Sequence, residues 1–246
     1  MPAWMVMYGV LVASGTRLGP QQPALAFDHV WIVVAPGAPE RTALERAGFV
    51  IAPGVNRHDG QGTASVTVEF DNAFLELLWP DSSVRVTPGL EVVAERFRRR
   101  MAWRTSGWPP IGIGLVRMSA ALDSLPFPTW SARADWQPAG EALEMLTPRG
   151  DSLDPTLWIV PRATVSALDD PQALRSRAHA SGVHRVTHVR LTGPRAGTSL
   201  PTRYVGGTGA VEFVPGAQWL LELTFDSGAR GKVVDLRPQL PLVLRM

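Results

Sequence analysis

Two side chains stand out as candidates for chemistry: His29 in the run FDHVWIVV and Glu76 in FLELLWP. An imidazole and a carboxylate can move a proton, or can hold a divalent metal such as Zn, Fe, Ni or Mn. Glu76 is flanked by Leu75, Leu77 and Leu78, so its carboxylate must reach solvent or find a partner in an apolar interior. Strand alternation places it on the face of Phe74 and Leu78, which reads as buried, and a partner is therefore required. His29 has two readings, a hydrogen-bonded interior histidine or a group that meets metal or substrate. His58, in the loop GVNRHDGQG, reads either as a solvated residue or as a substrate contact. Trp31, Trp79 and Trp158 pack on sheet faces by default, and one on a concave side, Trp158 for example, would wall a substrate pocket.

Other chemistries are excluded by composition. The chain has no cysteine, which removes disulfides, thiolate nucleophiles and Cys-type zinc sites. Lys232 is the single lysine, an unpromising position for Schiff-base chemistry. Gly112-Ile113-Gly114 lacks the third glycine and following helix of a dinucleotide fingerprint, and Gly206-Gly207-Thr208-Gly209 leads into a strand, so no nucleotide cofactor is expected. No G-x-S-x-G elbow occurs, and His184 and His188 lack the intervening Glu of a zinc-protease helix. The net charge of +2 gives no reason to expect nucleic acid. Arg96, Arg98, Arg99 and Arg100 form one basic run, expected to be the solvated face of a helix over Glu91 to Trp103.

The elements that must position these residues follow from the pattern. With 246 residues, 45% of them hydrophobic, the chain can bury a substantial core, and 22 prolines with 23 glycines favour short strands and turns. FDHVWIVV is a first strand, PERTALERAG a short helix closed by Gly48, and Phe49–Ala52, Thr63–Phe70 and Phe74–Trp79 three further strands, giving βαβββ. A weaker copy runs through Ile111–Arg117, a helical turn at Ala120–Leu125, Trp130–Trp136, Ala142–Leu146 and Thr156–Val160. The fold class expected is therefore α+β, with repeated βαβββ modules forming an open, curled mixed sheet. Domain boundaries are expected as an N-terminal extension over 1–26, a two-module domain over 27–165 (27–82 and 108–161), and a third, strand-rich region over 179–246. In the extension, the apolar stretch Ala3–Ala13 is too short to span a bilayer. With Ala24-Leu25-Ala26 it would suit a signal peptide, although no Lys or Arg precedes it. The location expected is cytoplasmic, with export as the alternative.

The third region carries local matches to the first. Val186-Thr187-His188-Val189 aligns with Phe27-Asp28-His29-Val30, and Leu220-Leu221-Glu222-Leu223 with Phe74-Leu75-Glu76-Leu77. His188 and Glu222 thereby become candidates for the same roles as His29 and Glu76.

FDHVWIVV, a short helix ending AGF, HDGQGTA and FLELLWPD together resemble the vicinal-oxygen-chelate superfamily, in its glyoxalase-like branch, from Phe27 to Pro161. The stretch HASGVHRVTHVRLTG, from His179, is similar to a C-terminal continuation found in that branch. The resemblance implies paired modules that curl into an open barrel, with the site inside and metal ligands on the first and last strands. His29 and Glu76 match the first module's ligand positions. The second module departs, with Pro110 or Ile111 where a His belongs and Val160 in place of the Glu. A quartet of His29, Glu76, His188 and Glu222 would need the third region to fold against the first; otherwise that region packs outside the barrel. The implied function is a metal-dependent lyase, isomerase or dioxygenase acting on a small oxygenated metabolite, with Glu76 as catalytic base and His58 and Trp158 against the substrate. The alternative is a non-catalytic small-molecule binding protein of the bleomycin-resistance type. Partners implied are a small-molecule ligand and a second copy in a homodimer, with no membrane span.

Overall fold

The computed structural model describes residues 24–118, 125–150, 153–161 and 171–246. The apolar stretch Ala3–Ala13 and most of the turn Ala120–Leu125 lie outside these. Leu25 and Ala26, from the cleavage-like triplet, lie in the first strand, where Leu25 is fully buried. No helix among the described residues is long and apolar enough to cross a membrane.

The first half of the chain runs β1 (Leu25–Val33), α1 (Arg41–Arg46), β2 (Asn56–His58), β3 (Thr63–Glu69) and β4 (Phe74–Pro80). Two helices follow, α2 (Glu91–Met101) and α3 (Trp103–Ser106), and then β5 (Ile111–Arg117), β6 (Trp130–Ala132), β7 (Leu143–Met145) and β8 (Thr156–Val160). These strands form one mixed sheet in the order β2-β3-β4-β1-β5-β8-β7-β6, curled into an open half-barrel. At its centre β1 and β5 run antiparallel, each with a parallel neighbour outside it, β4 beside β1 and β8 beside β5. The fold is α+β with few helices, as the sequence pattern indicates.

One strand is displaced from its expected position. Phe49–Ala52 is not a strand; the sheet is extended instead by β2, which lies within the loop of His58. The backbone of Phe49–Ala52 is held elsewhere: Val50 N–H donates to the His179 imidazole, and Ala52 N–H to the Thr67 carbonyl. Phe49 is buried against Phe70 and Phe225. An apolar run of four cannot by itself distinguish a strand from a buried connection.

After α4 (Pro171–Arg177), the chain builds a second sheet from β9 (Val186–Gly193), α5 (Leu200–Gly207), β10 (Glu212–Pro215), β11 (Leu220–Phe225), β12 (Val233–Asp235) and β13 (Leu242–Arg245). Its order is β10-β9-β11-β13-β12. The matches to the first unit do not extend to topology, because β11 runs antiparallel to β9 whereas β4 runs parallel to β1. The helix α5 follows a capping box in which Ser199 and Thr202 satisfy each other's backbone N–H groups.

This second sheet covers the outer face of the half-barrel. Val30, Ile32, Leu75, Leu77, Ile113, Leu115, Leu157 and Ile159 share one core with Val189, Leu191, Leu221, Leu223, Phe225 and Leu242. The seam is pinned at the Asp71-Asn72 turn, where the Asn72 side chain donates to the Val186 carbonyl and accepts from its N–H (2.8 and 2.9 Å). Trp219 Nε1 donates to the Gly107 carbonyl at 3.0 Å at another point of the seam.

His179 belongs to the same seam. Its Nδ1 accepts from Val50 N–H at 3.0 Å and its Nε2 donates to the Glu69 carbonyl at 2.8 Å, a pair of bonds that only the neutral ring can make. Burial pulls its pKa below the ordinary 6.5, with the Glu69 bond opposing that shift. In the interval between the folded and unfolded values, the unfolded chain binds more protons. The contribution is thus complete above 6.5 and is lost as pH falls towards the folded value. Urea unfolding of wild type and His179→Gln at about pH 7.5 and about pH 5 should show a smaller loss of stability on acidification in the variant. Equal losses in the two proteins would refute this role.

Candidate functional site

The inner face of the half-barrel encloses a cavity of about 620 Å³. Alternation on the strands decides what lines it: His29 and Trp31 from β1, Phe74, Glu76 and Leu78 from β4, Thr67 and Glu69 from β3, and Thr156, Trp158 and Val160 from β8. Four of the expected site residues, His29, Glu76, His58 and Trp158, are therefore brought to one cavity.

His29 is fixed on every side. A register shift in the β1–β5 pairing between Phe27 and His29 accompanies an unusual contact between neighbours, Asp28 Oδ2 lying 2.6 Å from His29 Nδ1. Asp28 is itself buried. A carboxylate can only accept, so the proton between them sits on Nδ1, and the neutral tautomer compatible with this contact has its lone pair on Nε2. The ring stacks on Phe74, with centroids 4.3 Å apart and planes 8° apart, and meets Trp158 edge-on at 5.1 Å.

Glycine makes this packing possible. In register, His29 lies opposite Gly114 and Trp31 opposite Gly112. A Cβ at residue 114 would fall 2.6 Å from His29 Cε1, and one at residue 112 would fall 2.2 Å from Trp31 Cζ2. The alternation Gly-Ile-Gly is thus the signature of a strand over which rings lie flat. It carries signal in the sequence, but as a close approach of side chains rather than as a fragment of a phosphate loop.

Glu76 is 7% exposed and has His58 as its partner, with Nε2 3.4 Å from Oε1. Behind His58, Nδ1 lies 2.9 Å from the Thr63 hydroxyl, which also accepts from Gln61 Nε2 at 3.0 Å. The loop residue His58 is therefore the partner that a buried Glu76 required. Trp136, 43% exposed, packs its ring 5.5 Å from His58 at the cavity wall.

His188 and Glu222 are elsewhere. Both lie on the second sheet, on the side turned away from the shared core. His188 Nε2 there sits 2.9 Å from Glu212, and Glu222 is bound by Arg245 (2.6 Å) and Arg190 (3.6 Å). Arg190, then His188, hold the Glu212 carboxyl down to about 2. The reason is parity: Leu221, Leu223 and Phe225 face the core, so Glu222 between them cannot. The four residues of the expected quartet do not converge. Among the described residues, no group of three or more His, Asp and Glu is arranged to hold a metal ion. His29 and Glu76 supply two donors at most, so the side chains do not fit a complete protein-built metal centre.

The basic run behaves differently from its expectation as a solvated face. Arg98 and Arg99 do pair with Glu95 in solvent, at 2.8 and 3.2 Å. Arg96 and Arg100, four residues apart on the face of Val93 and Phe97, turn into the cavity wall. Arg100 is 1% exposed and donates to the Pro109 carbonyl (3.2 Å) and the Thr156 hydroxyl (2.7 Å), with its guanidinium over the rings of Trp31 and Trp108. Burial, and then the charge of Arg96, pull it from 12.5 to about 9, which still leaves it cationic at neutral pH. Their spacing against Val93 and Phe97 shows in the sequence that they share a helix face with apolar residues, but which face is covered is set by the packing of α2 on the sheet.

No family model matches the chain, and no curated protein matches it. Solved structures do: one, a crystal structure of a hypothetical protein from Staphylococcus aureus, is 9% identical, covers 89% of this chain and 98% of its own, and superposes with a TM-score of 0.45.

The glycine argument has a direct check. Gly114→Ala should destabilise the fold by about 1–3 kcal/mol, the usual cost of overpacking, because the His29 ring is trapped between Phe74 and β5. Gly150→Ala, which meets nothing within 4 Å, serves as control and should change stability by less than about 0.5 kcal/mol. Matching urea midpoints for the two variants would contradict the packing described.

Proposed function

We propose that this chain is a glyoxalase-like small-molecule-binding protein, its two sheet halves β1–β4 and β5–β8 being related modules that enclose the ligand. The observation that carries this reading is the cavity of about 620 Å³ on the inner sheet face, which His29, Glu76 and Trp158 all line. Its size lies in the range that takes drug-sized ligands, roughly 300–1,000 Å³. Its walls have the mixture such sites need, apolar rings for burial and a few fixed polar groups for orientation. The His29–Phe74–Trp158 cluster offers flat surfaces for a ring or conjugated system.

A catalytic version of the same reading is favoured by the Asp28–His29 pair. With Nδ1 held by Asp28, Nε2 presents a lone pair that can take a proton, and Glu76 offers a second acceptor on the next strand. That arrangement suits a lyase or isomerase that removes a proton beside a carbonyl. In a metal-dependent lyase, isomerase or dioxygenase version, His29 and Glu76 would be the two protein ligands, and substrate and water would have to fill every other position.

Two measurements separate these readings. In a thermal-shift screen, aromatic and conjugated small molecules should stabilise the protein, by about 2.7 kcal/mol at a hundredfold excess over Kd. Absence of any stabilisation across such a set would sink the binding reading. Metal analysis after incubation with Zn, Fe, Ni or Mn should, for the metal-dependent version, give bound ion in wild type and loss in both His29→Ala and Glu76→Ala. A wild type that retains no divalent ion would eliminate that version and leave the small-molecule reading standing.

A further inference from the structure

We infer that the ligand of this cavity is an organic anion, with its acid group seated against Arg100 and Arg96 and its planar body lying along Trp31 and Trp158. This rests on the small-molecule reading above and names the ligand's class. Arg100 is the observation that carries it. A guanidinium at 1% exposure has given up its hydration, and here it has received only neutral groups in return, the Pro109 carbonyl, the Thr156 hydroxyl and the faces of Trp31 and Trp108. Its strongest charged neighbour is another cation, Arg96. A buried cation answered by neutral groups alone is costly unless an anion completes the site, and the Arg100 guanidinium with the Thr156 hydroxyl offers donors that a carboxylate or phosphate accepts. Arg96, which donates to the Pro148 carbonyl and has further interactions of its own, adds a second positive charge on the same wall.

The rest of the cavity gives that anion a direction. Trp31 lies under Arg100 and stacks with Trp158, centroids 6.0 Å apart and planes 16° apart, forming an aromatic floor that leads away from the arginines. The carboxylate Glu76 lines the cavity with His58 as its partner. Glu69 and Glu141 also line it, each with interactions of its own. An anion placed at α2 is therefore attracted locally, whereas one placed beside Glu76 meets a like charge. The cavity as a whole is not simply positive, so the discrimination comes from position.

The test uses 2-naphthoate and its neutral isostere 2-naphthamide as probes, with binding followed by tryptophan fluorescence and calorimetry on the whole chain. Wild type should bind the carboxylate about tenfold or more tighter than the amide, the scale of one charge-assisted hydrogen bond. Arg100→Gln and Arg96→Gln should each weaken naphthoate by about that factor and leave naphthamide within about twofold. Equal or tighter binding of the amide by wild type overturns the anion inference and leaves the small-molecule reading intact. Failure of wild type to bind either probe counts against both. A preference for the carboxylate that survives both substitutions overturns the assignment to these arginines. The comparison of the two probes on wild type does not depend on either variant folding.

Discussion

Everything in this molecule depends on β1 being buried on both faces. Successive side chains of a strand point in opposite directions, so Val30 and Ile32 enter one core while His29 and Trp31 enter another space. A sheet buried on both faces needs two covers. The second sheet supplies one and closes it completely. Helix α2 supplies the other and closes it in part: Phe97 packs on Trp31 at 5.4 Å, and Trp31, Val33, Leu78, Met145, Trp158 and Val160 make a smaller apolar cluster beneath it. What α2 leaves uncovered is the cavity.

The polar groups in that cavity are then subject to a strict condition, since a buried polar atom without a partner costs about 1–3 kcal/mol. The chain meets it locally wherever it can. Asp28 answers His29 from the adjacent residue, and His58 answers Glu76 from the neighbouring hairpin, with Thr63 and Gln61 behind it. Arg100 is met less fully, by neutral oxygens and aromatic faces. The difference in how these groups are satisfied is what distinguishes the two ends of the cavity chemically. One end answers its charges with oppositely charged or hydrogen-bonded side chains, and at the other the Arg100 guanidinium is answered by neutral oxygens and rings.

The second sheet shows why local sequence likeness is a poor guide to a shared site. His188 and Glu222 repeat the neighbourhood of His29 and Glu76 over a few residues, yet β11 is paired antiparallel to β9 and presents its leucines to the main core. Once Leu221, Leu223 and Phe225 are committed to that core, Glu222 must face the other way, where Arg190 and Arg245 neutralise it. The aromatic cluster of Phe49, Phe70, Phe225 and His179 then locks the sheet to the outer side of the half-barrel. Its role in the cavity is indirect, as the support behind β1 and β4.

Hydrophobic periodicity and turn chemistry alone determined the strands of β1, β3, β4, β5 and β8, the helix over Glu91–Met101, the α+β class and the demand that a buried Glu76 find a partner. These are local properties: a β-branched run bounded by Pro and Gly reads as a strand in any context, and a carboxylate among leucines needs an answer wherever it lies. Tertiary structure decided the rest. It placed the third region behind the sheet instead of inside it, made His58 the partner of Glu76, used Gly112 and Gly114 as a floor for rings, and turned Arg96 and Arg100 inward. Each of these depends on contacts between residues far apart in the chain, on strand direction in a sheet not yet assembled, or on which face of a helix is covered. A single stretch of sequence carries the types of residue available, whereas the packing of one face against another selects which of them meet.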